Sequence, residues 1–198
     1  MNETLSNLTK AFIGESQARN RYTYYASVAM KEGYSQIAAI FLETAEQEKT
    51  HAKREFEHIT ELKNKLKQEG ETGLDEIEAL ANSPNIYEST AENLRAAIAG
   101  EHYEYFQMYP EFAETAEKEG FEHIAHRFRS IAKAEEHHEE RFKKLLAQLE
   151  AGKVFEKEEQ VVWVCRECGY QHYGTTPPEV CPSCDHPKSY YQLKSEEY

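Results

Sequence analysis

The sequence predicts a mostly α protein, a four-helix bundle with one long crossover, followed by a small C-terminal metal domain of β, zinc-ribbon type. Three observations carry that prediction. The first ~150 residues are rich in Ala, Glu, Lys, Leu and Gln and nearly free of proline, whereas the last ~40 hold all four cysteines, the single Trp and four of the six prolines. The helical part repeats itself: Lys31-Glu-Gly-Tyr34 recurs as Lys118-Glu-Gly-Phe121, and Ala11-Phe-Ile-Gly-Glu15 as Ala97-Ile-Ala-Gly-Glu101. Two Glu-x-x-His pairs, Glu48–His51 and Glu135–His138, fall at matching places in the two copies.

Each copy reads as helix, glycine turn, helix. The four helices are expected near 4–32, 35–64, 89–119 and 121–149. Gly33 and Gly120 suit the left-handed residue that ends a helix, and such short turns make each pair antiparallel. The segment from Asn64 to Glu88, with Gly70, Gly73 and Pro84, is long enough to cross the bundle, with a short helix expected near Leu74–Leu80. Ser89-Thr-Ala-Glu92 is a capping box and opens the third helix. The composition change places the bundle in 1–152, a charged linker in 153–160 and the metal domain in 161–198.

A formal net charge of −13 argues against nucleic acid, which needs a basic face to replace counterions. The N-terminus lacks a basic segment followed by an apolar one, so no secretory signal is read, and no apolar run approaches membrane-spanning length. With its cysteines in two short-spaced pairs, the chain is expected in the cytoplasm, without a membrane partner.

The interior seam of the fourth helix runs Ile124, Phe128, Ile131, Glu135, His138, Phe142, Leu145, Leu149, and that of the second runs Ile37, Phe41, Thr44, Glu48, His51. Carboxylates thus stand where neighbours one turn away are apolar. A lone buried carboxylate is neutralised or excluded, so several at one level imply a compensating cation. The first helix leads Leu5, Leu8 and Phe12 to Glu15 and then Tyr22; the third leads Leu94 and Ile98 to Glu101 and Glu104. One Glu from each of two helices and Glu-x-x-His from each of the other two is the ligand pattern of a carboxylate-bridged iron pair. Oxygen ligands hold ferrous and ferric ions, and the i, i+3 spacing sets Glu and His on one face.

The repeat sorts these residues from the chain's other acids and histidines. Glu55-x-x-His58 also fits the motif, but its counterparts at the offset of 87 are Phe142 and Leu145, so it is set aside. Glu111, Glu114 and Glu117 read as a solvated face, and His102, His123 and His126 as surface or packing residues; His137 is out of phase. Glu104 has Ala18 as its counterpart, so it adds a carboxylate to one half alone. The offset grows from 86 at Glu101 to 87 at Lys118, which requires one extra residue within the third helix. A π-turn around Glu104–Pro110 is the expected outcome. It lets Tyr109 take the place that Tyr22 holds in the first half, either as a second shell to ligand carboxylates or as a core aromatic.

In the tail, Cys165-x-x-Cys168 and Cys181-x-x-Cys184 have the spacing of two metal knuckles. Four thiolates select iron or zinc, and the spacing does not choose between them.

Taken together, Gly14-Glu15…Tyr22, Glu48-x-x-His51, Gly100-Glu101-His-Tyr-Glu104…Tyr109-Pro110, Glu135-x-x-His138 and the tail from Trp163 to Pro187 resemble rubrerythrin over essentially the whole chain. The resemblance implies a ferritin-like di-iron bundle and a rubredoxin-like domain. It implies a peroxidase, an oxidoreductase that reduces hydrogen peroxide to water in oxygen-sensitive organisms. Electrons would come from an NAD(P)H-linked reductase system, often through rubredoxin. Glu15, Glu48, His51, Glu101, Glu104, Glu135 and His138 become ligands of two non-haem irons with an oxo or hydroxo bridge. Cys165, Cys168, Cys181 and Cys184 become ligands of a further iron, with zinc the alternative. Arg166 and Asp185 stand where free-standing rubredoxins usually carry proline and glycine; Asp tolerates the left-handed conformation better than most residues.

Charge arithmetic sharpens the expectation. Two ferrous ions balance Glu15, Glu48, Glu101 and Glu135, with both histidines neutral. Oxidation adds two positive charges, and Glu104 supplies one further negative, so His51 is expected to yield to Glu104 on oxidation. From His138 to Leu149 is 11 residues, about 17 Å of helix, so the tail domain starts far from its own iron pair. A head-to-tail homodimer, or a tetramer built from it, would shorten the electron path. The rival expectation is a ferroxidase, an iron-handling protein with a structural zinc ribbon.

Overall fold

The structure is a computed structural model that describes residues 2–196; Met1, Glu197 and Tyr198, at the ends of the two expected domains, lie outside the described residues. Its helices are α1 (Glu3–Lys31), α2 (Ser35–Gln68), α3 (Thr90–Tyr103), α4 (Tyr109–Lys118) and α5 (Glu122–Glu150). A π-turn over Glu104–Met108 joins α3 to α4, so these two form the third long helix of the bundle. Helix α2 runs past its expected end because Leu62 and Leu66 continue the buried seam. No helix among the described residues is long and apolar enough to cross a membrane.

The π-turn has the backbone signature of an inserted residue: the Tyr109 N–H donates to the Glu104 carbonyl, five residues back. Pro110, which has no N–H to give, follows within the first turn of α4. The expected short helix near Leu74–Leu80 is absent, and the crossover runs without regular structure. Leu74 is buried and Ile77 packs on the core, whereas Leu80 is 90% exposed. Two apolar anchors with no repeating face do not offset the cost of nucleating a helix.

The duplication also ties the halves together. Glu32, at the end of α1, accepts a hydrogen bond from the Thr90 N–H at the start of α3 (3.0 Å). Glu119, its counterpart at the end of α4, accepts from the backbone N–H groups of Glu3 (3.1 Å) and Thr4 (2.8 Å) and from the Thr4 hydroxyl (2.6 Å). Each half thus caps the orphan donors and positive dipole end of the other half's first helix.

The core is split in two. One apolar cluster holds Leu5, Leu8, Ala11, Ile59, Leu62, Ile124, Phe128 and Ile131. The other holds Ala18, Tyr22, Tyr25, Ile37, Phe41, Ala45, Ala97 and Phe142. Glu15, Glu48, Glu101 and Glu135 fall in sequence between the two clusters on their respective helices, and all four are buried.

In the tail, β1 (Val161–Cys165) pairs antiparallel with β2 (Gln171–Gly174) and β3 (Tyr191–Leu193) in the order β2-β1-β3. Trp163, Tyr191, Cys165 and Cys181 form its small core, and the Trp163 Nε1–H donates to the Gly174 carbonyl (3.0 Å). This module meets the bundle at the α1–α2 turn. The Ser35 hydroxyl donates to the Ser189 carbonyl, and the Tyr34 ring stacks on Phe155 at 6.2 Å.

Replacing Glu119 with Ala is expected to lower unfolding stability by about 1–2 kcal/mol, the range for a lost helix cap. Replacing Glu32, which makes one such bond, should cost less. Denaturant midpoints of the two variants check both the size and the order.

Candidate metal centres

Helices α2 and α5 each present a Glu-x-x-His pair to the level where the apolar core is interrupted. The two histidines face one another with ring centroids 6.0 Å apart. Glu48 and Glu135 stand between them, each offering one oxygen to each ring. His51 Nδ1 lies 2.8 Å from Glu135 Oε1 and 3.1 Å from Glu48 Oε2. His138 Nδ1 lies 2.7 Å from Glu135 Oε2 and 3.0 Å from Glu48 Oε1. Glu15 completes the His51 side at 3.9 Å, and Glu101 the His138 side at 3.5 Å. Two four-residue ligand sets result, Glu15–Glu48–His51–Glu135 and Glu48–Glu101–Glu135–His138, sharing Glu48 and Glu135 as the bridging pair.

Hydrogen bonding does not account for this cluster. His138 Nδ1, Glu15 Oε2, Glu48 Oε1, Glu101 Oε2 and both oxygens of Glu135 are buried without a hydrogen-bond partner. Such orphans are rare and costly, and here they converge on common points. Carboxylate oxygens and imidazole nitrogens are the donors that hold iron in either oxidation state, so the residues fit a pair of such ions.

The electrostatics of the protein without metal say the same. Burial, with the charges of Glu135 and Glu48, holds Glu15 well above the ordinary carboxylate range. Burial and Glu48 push Glu101 up to about 8. Burial opposes a charge on the imidazoles, yet Glu135 and Glu48 raise His51 to about 10, and Glu101, Glu135 and Glu48 raise His138 to about 12. Burial would also raise Glu48, but the two histidines beside it hold it down at about 2. Without a cation, protons do the neutralising.

Two tyrosines buttress the set symmetrically. The Tyr22 hydroxyl donates to Glu101, and the Tyr109 hydroxyl to Glu15, each from the opposite half of the repeat. The π-turn brings Tyr109 into that place.

Glu104 is buried but belongs to neither ligand set; in this arrangement His51 occupies the Glu15 side. One Glu104 oxygen faces Gly14, where a side-chain carbon would sit 3.9 Å away. Burial and the charge of Glu101 hold its carboxyl well above the ordinary range.

Sequence reasoning set Glu55 aside as a ligand, and it lies in neither ligand set, but its burial was missed. Glu55 is 0% exposed, and its Oε1 lies 2.7 Å from the Tyr109 hydroxyl oxygen. The Tyr109 hydroxyl thus faces both Glu15 and Glu55 as a donor, and its single proton is shared between the two carboxyl groups. Burial raises Glu55 well above the ordinary range, although Tyr109 and His51 pull the other way. The readable signal was its phase, because Glu55 follows His51 by four on the seam that continues to Ile59 and Leu62.

In the tail, Cys165 and Cys184 sulfurs are 3.7 Å apart, as are Cys168 and Cys181, and all four lie within 4.8 Å of one another. A tetrahedral site with metal–sulfur bonds of about 2.3 Å has edges of about 3.8 Å. The two knuckles match: Gly169 N–H donates to the Cys165 carbonyl (2.9 Å) and Asp185 N–H to that of Cys181 (3.0 Å). Both residues are left-handed, Gly169 at φ 78° and Asp185 at φ 58°. The geometry fits iron and zinc alike.

Comparison with known proteins agrees with both centres. Residues 6–146 match the rubrerythrin family profile, and residues 163–192 match the rubredoxin-like domain of rubrerythrin. A putative rubrerythrin of Methanocaldococcus jannaschii is 56% identical, covering 100% of this chain and 96% of its own. The rubrerythrin of Porphyromonas gingivalis is 51% identical, covering 99% and 92%. That of Nitratidesulfovibrio vulgaris is 48% identical, covering 96% and 93%. Among solved structures, nigerythrin in its mixed-valence state superposes with a TM-score of 0.62 at 31% identity, covering 96% of this chain and 86% of that one.

Binding two ferrous ions to the metal-free protein at pH 7 is expected to release at least three protons, from Glu101, His51 and His138, whose values of about 8, 10 and 12 keep them protonated there. Raised values mean that the metal-free fold draws stability from these protons at low pH. That stability is lost as pH rises through about 8 and then about 10. Calorimetric titration in buffers of different ionisation enthalpy counts the protons. Thermal melts with and without iron should diverge as the solution is made alkaline.

Proposed function

The chain belongs to the rubrerythrin family, and on that premise we propose that it is a cytoplasmic peroxidase that reduces hydrogen peroxide to water. The reading rests on one observation: a buried carboxylate–histidine cluster with two shared bridging residues lies on the same chain as a four-thiolate site. The bound iron pair supplies two electrons together, while the four-cysteine iron passes them one at a time.

The reaction is H2O2 + 2 e⁻ + 2 H⁺ → 2 H2O, so the protein must hold a charge-balanced site and deliver protons. Glu48 and Glu135, which face both histidines, would hold the two ions jointly, and Glu15 and Glu101 would each hold one. Tyr22 and Tyr109 fix the orientation of those terminal carboxylates, which keeps reorganisation small when charge changes. Glu55, whose burial favours the protonated form, shares the Tyr109 hydroxyl with Glu15 and is placed to store a proton for the site. Glu104, held protonated beside Gly14 in the metal-free protein, would lose its proton and could take the place of His51 when bound iron gains positive charge.

The own-chain thiolate module docks at Ser35, 13 residues before Glu48, or about 20 Å of helix. We place the electron source of each iron pair in the thiolate module of a second copy, in a head-to-tail homodimer. Electrons reach that module from an NAD(P)H-linked reductase, directly or through rubredoxin.

The test is anaerobic. Fully reduced, iron-loaded protein receives substoichiometric hydrogen peroxide, and the iron–thiolate charge-transfer band is followed. Rapid recolouring, with electrons matching the peroxide consumed, is expected. A band indifferent to peroxide would favour iron oxidation instead, and a protein that never shows the band holds zinc in the tail. Glu104→Gln should slow reoxidation by about 10–100-fold, the usual cost of losing a partner at a metal site, with iron content unchanged. Structures of both oxidation states with no ligand exchange would refute the role given to Glu104.

A further inference from the structure

The metal-binding face of α2 does not end at the buried centre. Glu48, His51, Glu55 and His58 follow one another in steps of three and four, and Glu61 comes one turn later. At that outer end α2 meets the first turn of α5. His58 Nδ1 lies 3.3 Å from Glu61 Oε2, and His123 Nε2 of α5 lies 3.1 Å from Glu61 Oε1. The two imidazole rings are 5.5 Å apart and inclined at 59°. One donor atom from each of the three residues falls within 4.8 Å of the others.

The duplication does not account for this cluster. At the offset of 87, the counterparts of His58, Glu61 and His123 are Leu145, Gln148 and Gln36, none of them an imidazole or a carboxylate. It therefore stands outside the repeat, as Glu104 does, and joins α2 of the first half to α5 of the second. Its chemistry is also distinct from that of the acid-rich centre: two imidazoles and one carboxylate, with a single formal negative charge. The His58 side chain is 14% exposed, while those of Glu61 and His123 are 59% and 55% exposed, so the cluster has a fixed inner member and an open outer side. A groove of about 340 Å³ runs past Glu61 and His123. Lys65, which also lines it, lies over the Phe121 ring at 4.8 Å.

We propose that His58, Glu61 and His123 form a third metal site, which takes one exchangeable divalent first-row transition ion such as Fe2+, Co2+ or Zn2+. Two histidines and one carboxylate are a three-ligand set for such ions and leave the remaining positions to water. Mg2+ and Ca2+, which require mostly oxygen ligands, are poorly served by it. The geometry is supported by the state of the inner ring. Burial lowers the His58 pKa against the pull of Glu61, with His123 and Arg127 adding to the decrease, so a nitrogen lone pair is available at neutral pH. The site lies seven residues beyond His51, about 10 Å along the helix, and is separate from the buried pair.

The test uses the metal-replete protein dialysed to equilibrium against Co2+, with cobalt and iron per chain counted by elemental analysis. The wild type should retain one additional cobalt per chain and lose no iron. Loss of even an outer partner costs a metal site about 10–100-fold in affinity, so His123→Ala and Glu61→Gln should each weaken cobalt binding by at least that factor. Both side chains are exposed, so iron content and thiolate absorption should stay at wild-type levels. His126→Ala, an exposed histidine one turn further along α5, should bind cobalt as the wild type does. Failure of the wild type to retain cobalt, or equal retention by His123→Ala, would overturn the proposal.

Discussion

Six carboxylates and two imidazoles are packed into one level of a bundle whose two ends are apolar, and their charge has to be neutralised there. Glu15, Glu48, Glu55, Glu101, Glu104 and Glu135 are all buried, and among the described residues none of the six is paired with a lysine or an arginine. Isolated buried charges of this number would unfold a domain of ordinary stability. The arrangement is tolerable because the histidines and the tyrosine hydroxyls are placed to share the charge, and because two cations fit where the orphaned oxygens converge. The hydrophobic seams above and below are the price of keeping water out of that level. The fold is a scaffold for an electrostatic problem.

The duplicated sequence solves that problem by approximate two-fold symmetry. Four hydrogen-bonded contacts cross from one half to the other in matched pairs: Tyr22 to Glu101 and Tyr109 to Glu15, Glu32 to Thr90 and Glu119 to Thr4. These bonds are met only when the two hairpins pack together, so the two halves are specified as partners. The shared places of Glu48 and Glu135 follow from the same symmetry, since each faces both imidazoles. The departures are where reactivity concentrates. Glu104 and Glu55 each belong to one half and the His58 cluster joins the two without a repeat counterpart, and the π-turn is the backbone adjustment that admits Glu104 while returning Tyr109 to its symmetric place.

Much of this was legible before the fold was known. Helix positions followed from the period of the apolar seams, and the turn at Gly33 and Gly120 from the repeat. The single-residue change of offset was enough to locate the π-turn, because a helix cannot absorb an extra residue without one irregular hydrogen bond. The knuckle geometry was equally local: Asp185 stands where a left-handed residue is needed and adopts φ 58°. The short helix near Leu74–Leu80 misled because local propensity was read without knowing that only Leu74 and Ile77 would find core to bury against.

By itself the sequence determined which residues share a face, because helical phase is a property of spacing along one chain. It therefore named the helices that carry the candidate ligands, the cysteine knuckles and the symmetric tyrosines. Only the tertiary structure decided which faces meet. It showed that His51 and not Glu104 stands with Glu15, that Glu55 is buried against the Tyr109 hydroxyl, and that His123 of α5 reaches Glu61 of α2. Those outcomes depend on the approach of elements remote in sequence and on the desolvation that follows, and neither distance nor burial is written in the spacing of one helix.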